Sequence, residues 1–226
     1  MYIHAPDPFY MRGINKDGMG YVETNWNLPL WEQITLARQN VYDGTWWKAP
    51  SQGWMFVPID QYHGGWPACC IEPVGFLAGQ WEWYLFMYFG TGVSPCYRGK
   101  RLYDEAVPAS KALVRKYVSW HNKYRVVLHG DIIHLKRPDG HGMDAMLHVQ
   151  PDPRKSAERA VLLVFNQHAQ AVNTTLRVPL YYSGLADETA VSHEGAAPSQ
   201  LTLARDWTVS LPLVMQPNSF TWFVFE

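Results

Sequence analysis

The periodicity of this chain changes partway along, and that change constrains its fold more than any other feature. From Met1 to about Leu135, short apolar runs alternate with helical stretches, the pattern of repeated βα units on a parallel sheet. From about Met143 onward, runs of strand type follow one another with turn residues between them and no helical spacing, which predicts an antiparallel sandwich. The expected class is α/β followed by all-β, with the change between Pro138 and Asp144.

Three strand, loop and helix units succeed each other in the first part, at a spacing of about forty residues. Tyr2 to Ala5 is the first strand, and Pro29 opens a helix with Leu30, Ile34, Ala37 and Val41 on one side and Asn27 as its cap. Gly53 to Ile59 reads as a buried strand. The following helix runs from about Val74 to Phe89, with Leu77, Trp81, Tyr84, Leu85 and Tyr88 on one side and Gly90 and Gly92 as the stop. Val93 to Tyr97 is the third strand. The third helix, capped by Ser110, carries Leu113, Val114, Tyr117, Val118, His121 and Tyr124. The second part offers strands at Ala145–Val149, Ala160–Phe165, Thr174–Tyr182, Gln200–Leu203, Trp207–Val214 and Phe220–Phe225. Three βα units cannot close a parallel barrel, so the first part alone reads as incomplete.

Composition narrows the function classes. With 226 residues, 47% hydrophobic and 17% charged, the chain has enough apolar material for one large or two small cores. A formal charge of −1 and scattered basic residues argue against a nucleic-acid partner. The sequence contains neither a run of roughly twenty apolar residues nor a basic-then-apolar leader pattern, so no membrane partner is expected and the chain as given reads as cytoplasmic. Cys69, Cys70 and Cys96 lack CxxC spacing and read as reduced thiols; the histidines lack metal-type spacing, so no metal or other cofactor is expected.

Eight of the eleven tryptophans fall between Trp26 and Trp83, close to Gly, Pro, carboxylate or His residues. Rings in loops suit the CH-rich faces and hydroxyl edges of sugars, whereas rings in elements are core. The uneven distribution points to a ligand-contacting first part and a scaffold second part.

Three motifs taken together, Gly18-Met19-Gly20-Tyr21-Val22-Glu23-Thr24-Asn25-Trp26, Gln39-Asn40-Val41-Tyr42-Asp43-Gly44-Thr45-Trp46 and Gly53-Trp54-Met55-Phe56-Val57-Pro58, resemble those of bacterial α-galactosidase-like (melibiase-like) glycoside hydrolases. The resemblance continues through Tyr62-His63-Gly64-Gly65, Cys96-Tyr97-Arg98-Gly99 with Arg101-Leu102-Tyr103-Asp104, and Asp131-Ile132-Ile133-His134-Leu135 with Arg137-Pro138-Asp139-Gly140. It implies a partial (β/α) TIM-type barrel over residues 1–140, the second half of a (β/α)8 barrel, and a C-terminal antiparallel β-sandwich over 141–226. It also implies a carboxylate nucleophile on the fourth barrel strand, upstream of Met1, and an acid/base from the region of the sixth strand, Gly53 to Ile59 and its loop.

Retaining glycoside cleavage needs two carboxyl groups about 5 Å apart, one attacking the anomeric carbon and one moving the proton. Barrel sites sit at the C-terminal ends of strands, which selects Asp60, directly after its strand, Glu72, at the end of the same loop, and Asp7, between two prolines, as catalytic candidates. Glu72 reads equally as a first-turn carboxylate stabilising a helix dipole, and Asp7 as an Asx turn. Glu23, Trp26, Trp46, Tyr62, His63, Trp66 and Arg98 are the substrate-binding candidates. Small neighbours at Gly64-Gly65 let a ligand approach His63, while Arg98 either orients an anionic group or pairs with Asp104. Arg137-Pro138-Asp139-Gly140 reads as a structural turn.

Two functions from different classes remain. One is a glycoside hydrolase or its C-terminal portion, its barrel completed by a missing N-terminal half or in a homo-oligomer. The other is a non-catalytic carbohydrate-binding or interaction protein, or an inactive fragment, with sandwich as stabilising appendage.

Overall fold

A computed structural model describes residues 35, 38, 39, 42, 54–56, 78–91, 94–96 and 108–226. Two compact units, Met1–Lys123 and Tyr124–Glu226, make up the chain. Among the described residues the structure is mostly antiparallel β-sheet with few helices.

In the first unit Thr35, Arg38, Gln39 and Tyr42 are helical, with Arg38 and Tyr42 buried. Strand β1 (Trp54–Phe56), helix α1 (Ala78–Gly90) and strand β2 (Ser94–Cys96) follow in order, and β1 pairs with β2 in parallel, Trp54 opposite Ser94 and Phe56 opposite Cys96. Parallel neighbours need a crossover, and α1 lies within it. The expected one-sided burial of α1 is exceeded: Leu85, Phe86, Met87 and Tyr88 are consecutive and all buried, together with Trp83. A helix apolar all round is a buried one. It ends where Gly90 supplies the break and Thr91 turns its hydroxyl onto the Met87 carbonyl at 2.7 Å.

Helix α2 spans Pro108–Leu128. The sequence reading capped it with Ser110, but Pro108 begins it: proline's fixed φ suits a first turn whose N–H groups lack intrahelical partners. Lys116 and the Tyr117 hydroxyl both donate to Glu82 on α1, at 2.6 and 2.8 Å, and Phe86 meets the rings of Tyr117 and Trp120.

The second unit contains eight strands: β3 (Asp131–Lys136), β4 (Met143–Val149), β5 (Ala160–Asn166), β6 (Val172–Pro179), β7 (Glu188–His193), β8 (Ser199–Thr202), β9 (Thr208–Met215) and β10 (Ser219–Phe225). They form a six-stranded sheet ordered β3-β4-β5-β10-β7-β8 and a two-stranded sheet β6-β9, and every pairing in this unit is antiparallel. The two sheets share a core in which Leu147, Leu162, Val164 and Phe225 of the larger meet Val178, Leu211 and Leu213 of the smaller. Because β3 is hydrogen-bonded to β4, this sheet begins at Asp131, ahead of the change of sequence texture read between Pro138 and Asp144. Strand β7 was not expected, and Tyr181 and Tyr182, read as the end of a strand, lie in a 3-10 turn (Tyr181–Ser183). Pro179 ends β6, the Ser183 hydroxyl closes the turn on the Leu180 carbonyl at 2.6 Å, and Gly184 leaves it at φ +75°.

Gly130, between α2 and β3, is fixed by close approach. A β-carbon there would run into the Val149 carbonyl oxygen. At the opposite end of the unit, buried Asn166 ties two turns together, donating to the carbonyls of Gln170 and Gln216 at 2.9 and 2.8 Å and accepting from the His168 amide at 3.1 Å. The Arg137-to-Gly140 segment is the turn expected: the His141 amide donates to the Asp139 carboxylate at 2.8 Å, and Gly140 adopts φ +77°.

Candidate functional site

Parallel pairing puts the C-terminal ends of β1 and β2 side by side, about 4.8 Å apart. In α/β sheets that end is where ligands bind, because the loops leaving it converge above the sheet. In the sequence Asp60, Tyr62, His63, Trp66 and Glu72 follow β1, and Arg98 follows β2. Those six residues, together with Asp7, Glu23, Trp26 and Trp46, lie outside the described residues.

Three polar groupings among the described residues come first as candidate sites. On β4 and just after β5, Asp144 and Gln167 are buried, and Gln167 Nε2 donates to the Asp144 carboxylate. On the same face buried His148 brings Nδ1 to the Leu128 carbonyl at 2.8 Å. These groups hold α2 and the β4-β5 ladder in place.

The third grouping superficially resembles a hydrolytic triad. Thr221 donates its hydroxyl proton to Glu194 at 2.7 Å, and His193 Nε2 lies 2.7 Å from the same oxygen. A hydroxyl has one proton, so with Glu194 accepting it the imidazole must be the donor. A nucleophilic hydroxyl needs the reverse arrangement, with the imidazole as acceptor. The chain of bonds therefore pins His193, which also stacks on Phe223 with ring centroids 4.4 Å apart.

Among the described residues no three His, Cys, Asp or Glu side chains gather as a metal site, and no helix is long and apolar enough to cross a membrane. Carboxylate control is visible at one place. Arg154 grips Asp152 through two side-chain hydrogen bonds of 2.9 Å and its backbone amide, which holds the Asp152 carboxyl below the usual range.

Sequence reasoning passed over a group of exposed rings in the second unit. Tyr181 lies edge-on to both Tyr182 and Trp207, with centroids 5.2 Å apart in each case. The available signal was Tyr-Tyr between Pro179-Leu180 and Ser183-Gly184: two adjacent bulky rings in turn chemistry cannot both face a core.

In structure the chain is similar to parts of α-galactosidases and related glycosidases. No protein-family model and no curated protein matches the sequence. Among solved structures, a GH36 α-galactosidase from Geobacillus stearothermophilus, complexed with raffinose, is similar over 85% of this chain at TM-score 0.56 and 16% identity, with 24% of its own length covered. The galactosidase domain of an α-galactosidase-sucrose kinase matches over 84% of this chain and 24% of its own at TM-score 0.54 and 16% identity. A GH27 β-L-arabinopyranosidase, also from Geobacillus stearothermophilus, matches over 87% of this chain and 42% of its own at TM-score 0.54 and 12% identity. The likeness is one of fold, and the chain spans between about a quarter and two fifths of the length of these structures.

Proposed function

We propose that the chain is an α-galactosidase-like glycoside hydrolase or the C-terminal portion of one, built as a partial (β/α) barrel followed by a β-sandwich. The observation that carries the reading is the likeness of this chain, in which a parallel β-α-β unit precedes an antiparallel unit, to α-galactosidase structures. The ligand is a carbohydrate. In this reading Glu72, or Asp60, protonates the leaving oxygen, a second carboxylate on the fourth barrel strand attacks the anomeric carbon, and Asp7 is the remaining catalytic candidate. His63, Tyr62, Trp66, Glu23, Trp26, Trp46 and Arg98 bind the sugar through stacking and hydroxyl contacts.

Turnover of a panel of nitrophenyl galactosides, glucosides and arabinosides tests it. Glu72→Gln is expected to lower kcat for poor leaving groups about 10²- to 10⁴-fold while preserving binding. Unchanged rates in both Glu72→Gln and Asp60→Asn would remove this loop from the chemistry. No hydrolysis of any panel member by the unaltered chain would overturn the claim that it acts alone.

A further inference from the structure

We infer that the aromatic cluster Tyr181, Tyr182 and Trp207 is a binding site for a neutral oligosaccharide on the second unit. The rings are 58%, 59% and 41% exposed. They are nevertheless held firmly. The Leu180 amide donates to the Trp207 carbonyl at 2.8 Å and the Trp207 amide to the Ala204 carbonyl at 2.8 Å, so the turn between β8 and β9 is locked against the 3-10 turn. Trp207 adopts φ +57°, a left-handed conformation that costs a bulky residue about 1–3 kcal/mol. A strained backbone that sets a tryptophan on the surface suits a recognition role better than a packing one.

Beside the rings stands a fixed polar group. Arg177 pairs with Asp206 and donates through Nε to Thr208 Oγ1 at 3.1 Å, while Thr208 donates to Asp206 at 2.7 Å. Thr208 also lines an open hollow of about 440 Å³ walled by Leu201, Leu203 and Val209 with Thr202, Ala204 and Ser210; the three rings are not part of its lining. Apolar faces next to a preorganised carboxylate and guanidinium match the two surfaces of a pyranose, its CH face and its vicinal hydroxyls.

Size and charge favour this ligand over others. An aromatic side chain buries about 150–250 Å² when covered, so these three offer roughly 300 Å², well under the roughly 800 Å² a stable protein partner needs. Of the charges held here, Arg177 is paired with Asp206 and Arg159 is committed to the Ser183, Pro151 and Gln150 carbonyls, which leaves too little field for a polyanion. Near-perpendicular rings, at 85° and 77°, form corners rather than a flat platform, which suits a twisted chain over a flat one.

Affinity electrophoresis of the full chain in gels containing amylose, galactomannan or hydroxyethylcellulose reads the site, with the Trp207 indole N–H followed by NMR during titration with maltoheptaose. Retardation in at least one gel is expected, with about tenfold or greater loss of affinity in Tyr181→Ala/Trp207→Ala at unchanged melting temperature. Trp207→Phe assigns the indole signal, so the titration of the unaltered chain stands even if the double variant fails to fold. No retardation and no indole shift would overturn the proposal, as would binding that survives the double variant, which would place the sugar elsewhere. Ring-dependent self-association without glycan binding would also overturn it and make the patch a protein interface. Hydrolysis is scored separately, so loss of turnover with retained ring-dependent binding counts against the hydrolase reading alone.

Discussion

Strands β4 and β5 are buried at every residue, whereas β9 alternates between buried and exposed and β6 between half-buried and exposed. All four are antiparallel and belong to one unit, so pairing geometry does not separate them. Their position does: β6 and β9 form a two-stranded layer with one face on the core and one toward solvent, while β4 and β5 lie inside the six-stranded sheet with both faces covered. Leu162 and Val164 face the shared core; Val161, Leu163 and Phe165 face the other way and are equally inaccessible. The sequences reflect this. Ala-Val-Leu-Leu-Val-Phe is a continuous apolar run, while Val209, Leu211, Leu213 and Met215 alternate with Ser210, Pro212 and Val214. Proline at 212 is accommodated because β9 pairs only with β6 and keeps a free edge.

The sharpest way to break the comparison is to truncate both faces of β5. Leu162→Ala and Leu163→Ala are each expected to cost about 2–5 kcal/mol, read from urea midpoints of the full chain. Val214→Ala on β9, at a site 73% exposed, is expected to stay within about 0.5 kcal/mol. A Leu163→Ala cost as small as that of Val214→Ala would mean that the outer face of the large sheet is open in solution. Gly130→Ala comes next. Its added methyl collides with backbone rather than with a movable side chain, so a loss of about 1–3 kcal/mol is expected, and a melting temperature equal to that of the unaltered chain would show that the α2-β3 connection relaxes freely.

Legibility followed the same division. Long apolar runs and clean alternation announced β4, β5, β9 and β10, because there side-chain burial and backbone period agree. Strand β7 escaped because Glu188-Thr189-Ala190-Val191-Ser192-His193 has only one large apolar residue; its Thr189 is buried through a 3.0 Å hydrogen bond to the Glu226 carbonyl instead. Strand β3 was assigned to the first region because Asp131 to Leu135 follows a helix directly, and only its ladder with β4 reveals its sheet. In the first unit the β1, α1 and β2 order was readable, since periodicity switched from strand to helix and back between glycines. The catalytic candidates were legible only as residue types at strand ends, because carboxylates in loops carry no periodicity. The exposed rings were hidden for the opposite reason: Tyr181-Tyr182 extends an apolar pattern, and the turn that exposes them is set by Pro179 and Gly184 on either side.

The smallest expected effect lies in the loop joining the two fully buried strands. Asp152 is half-buried beside an exposed Arg154, and its carboxyl is held below the usual range first by the Arg154 side chain and then by the Arg154 amide. A folded pKa below the unfolded one means that this pair adds stability above the unfolded value and loses it as pH falls through the folded value. Solvent screens a contact of this kind, so the melting temperature is expected to change little in Arg154→Ala even though the titration of one group moves. Following the Asp152 carboxyl carbon by NMR between pH 2 and pH 6 isolates that group: its midpoint is expected to rise in Arg154→Ala, and a midpoint unchanged by the substitution would show that the loop does not hold this geometry in solution. A loop pair that titrates as expected without moving global stability would sharpen the contrast with Leu163, where no charge changes and the whole sheet is at stake.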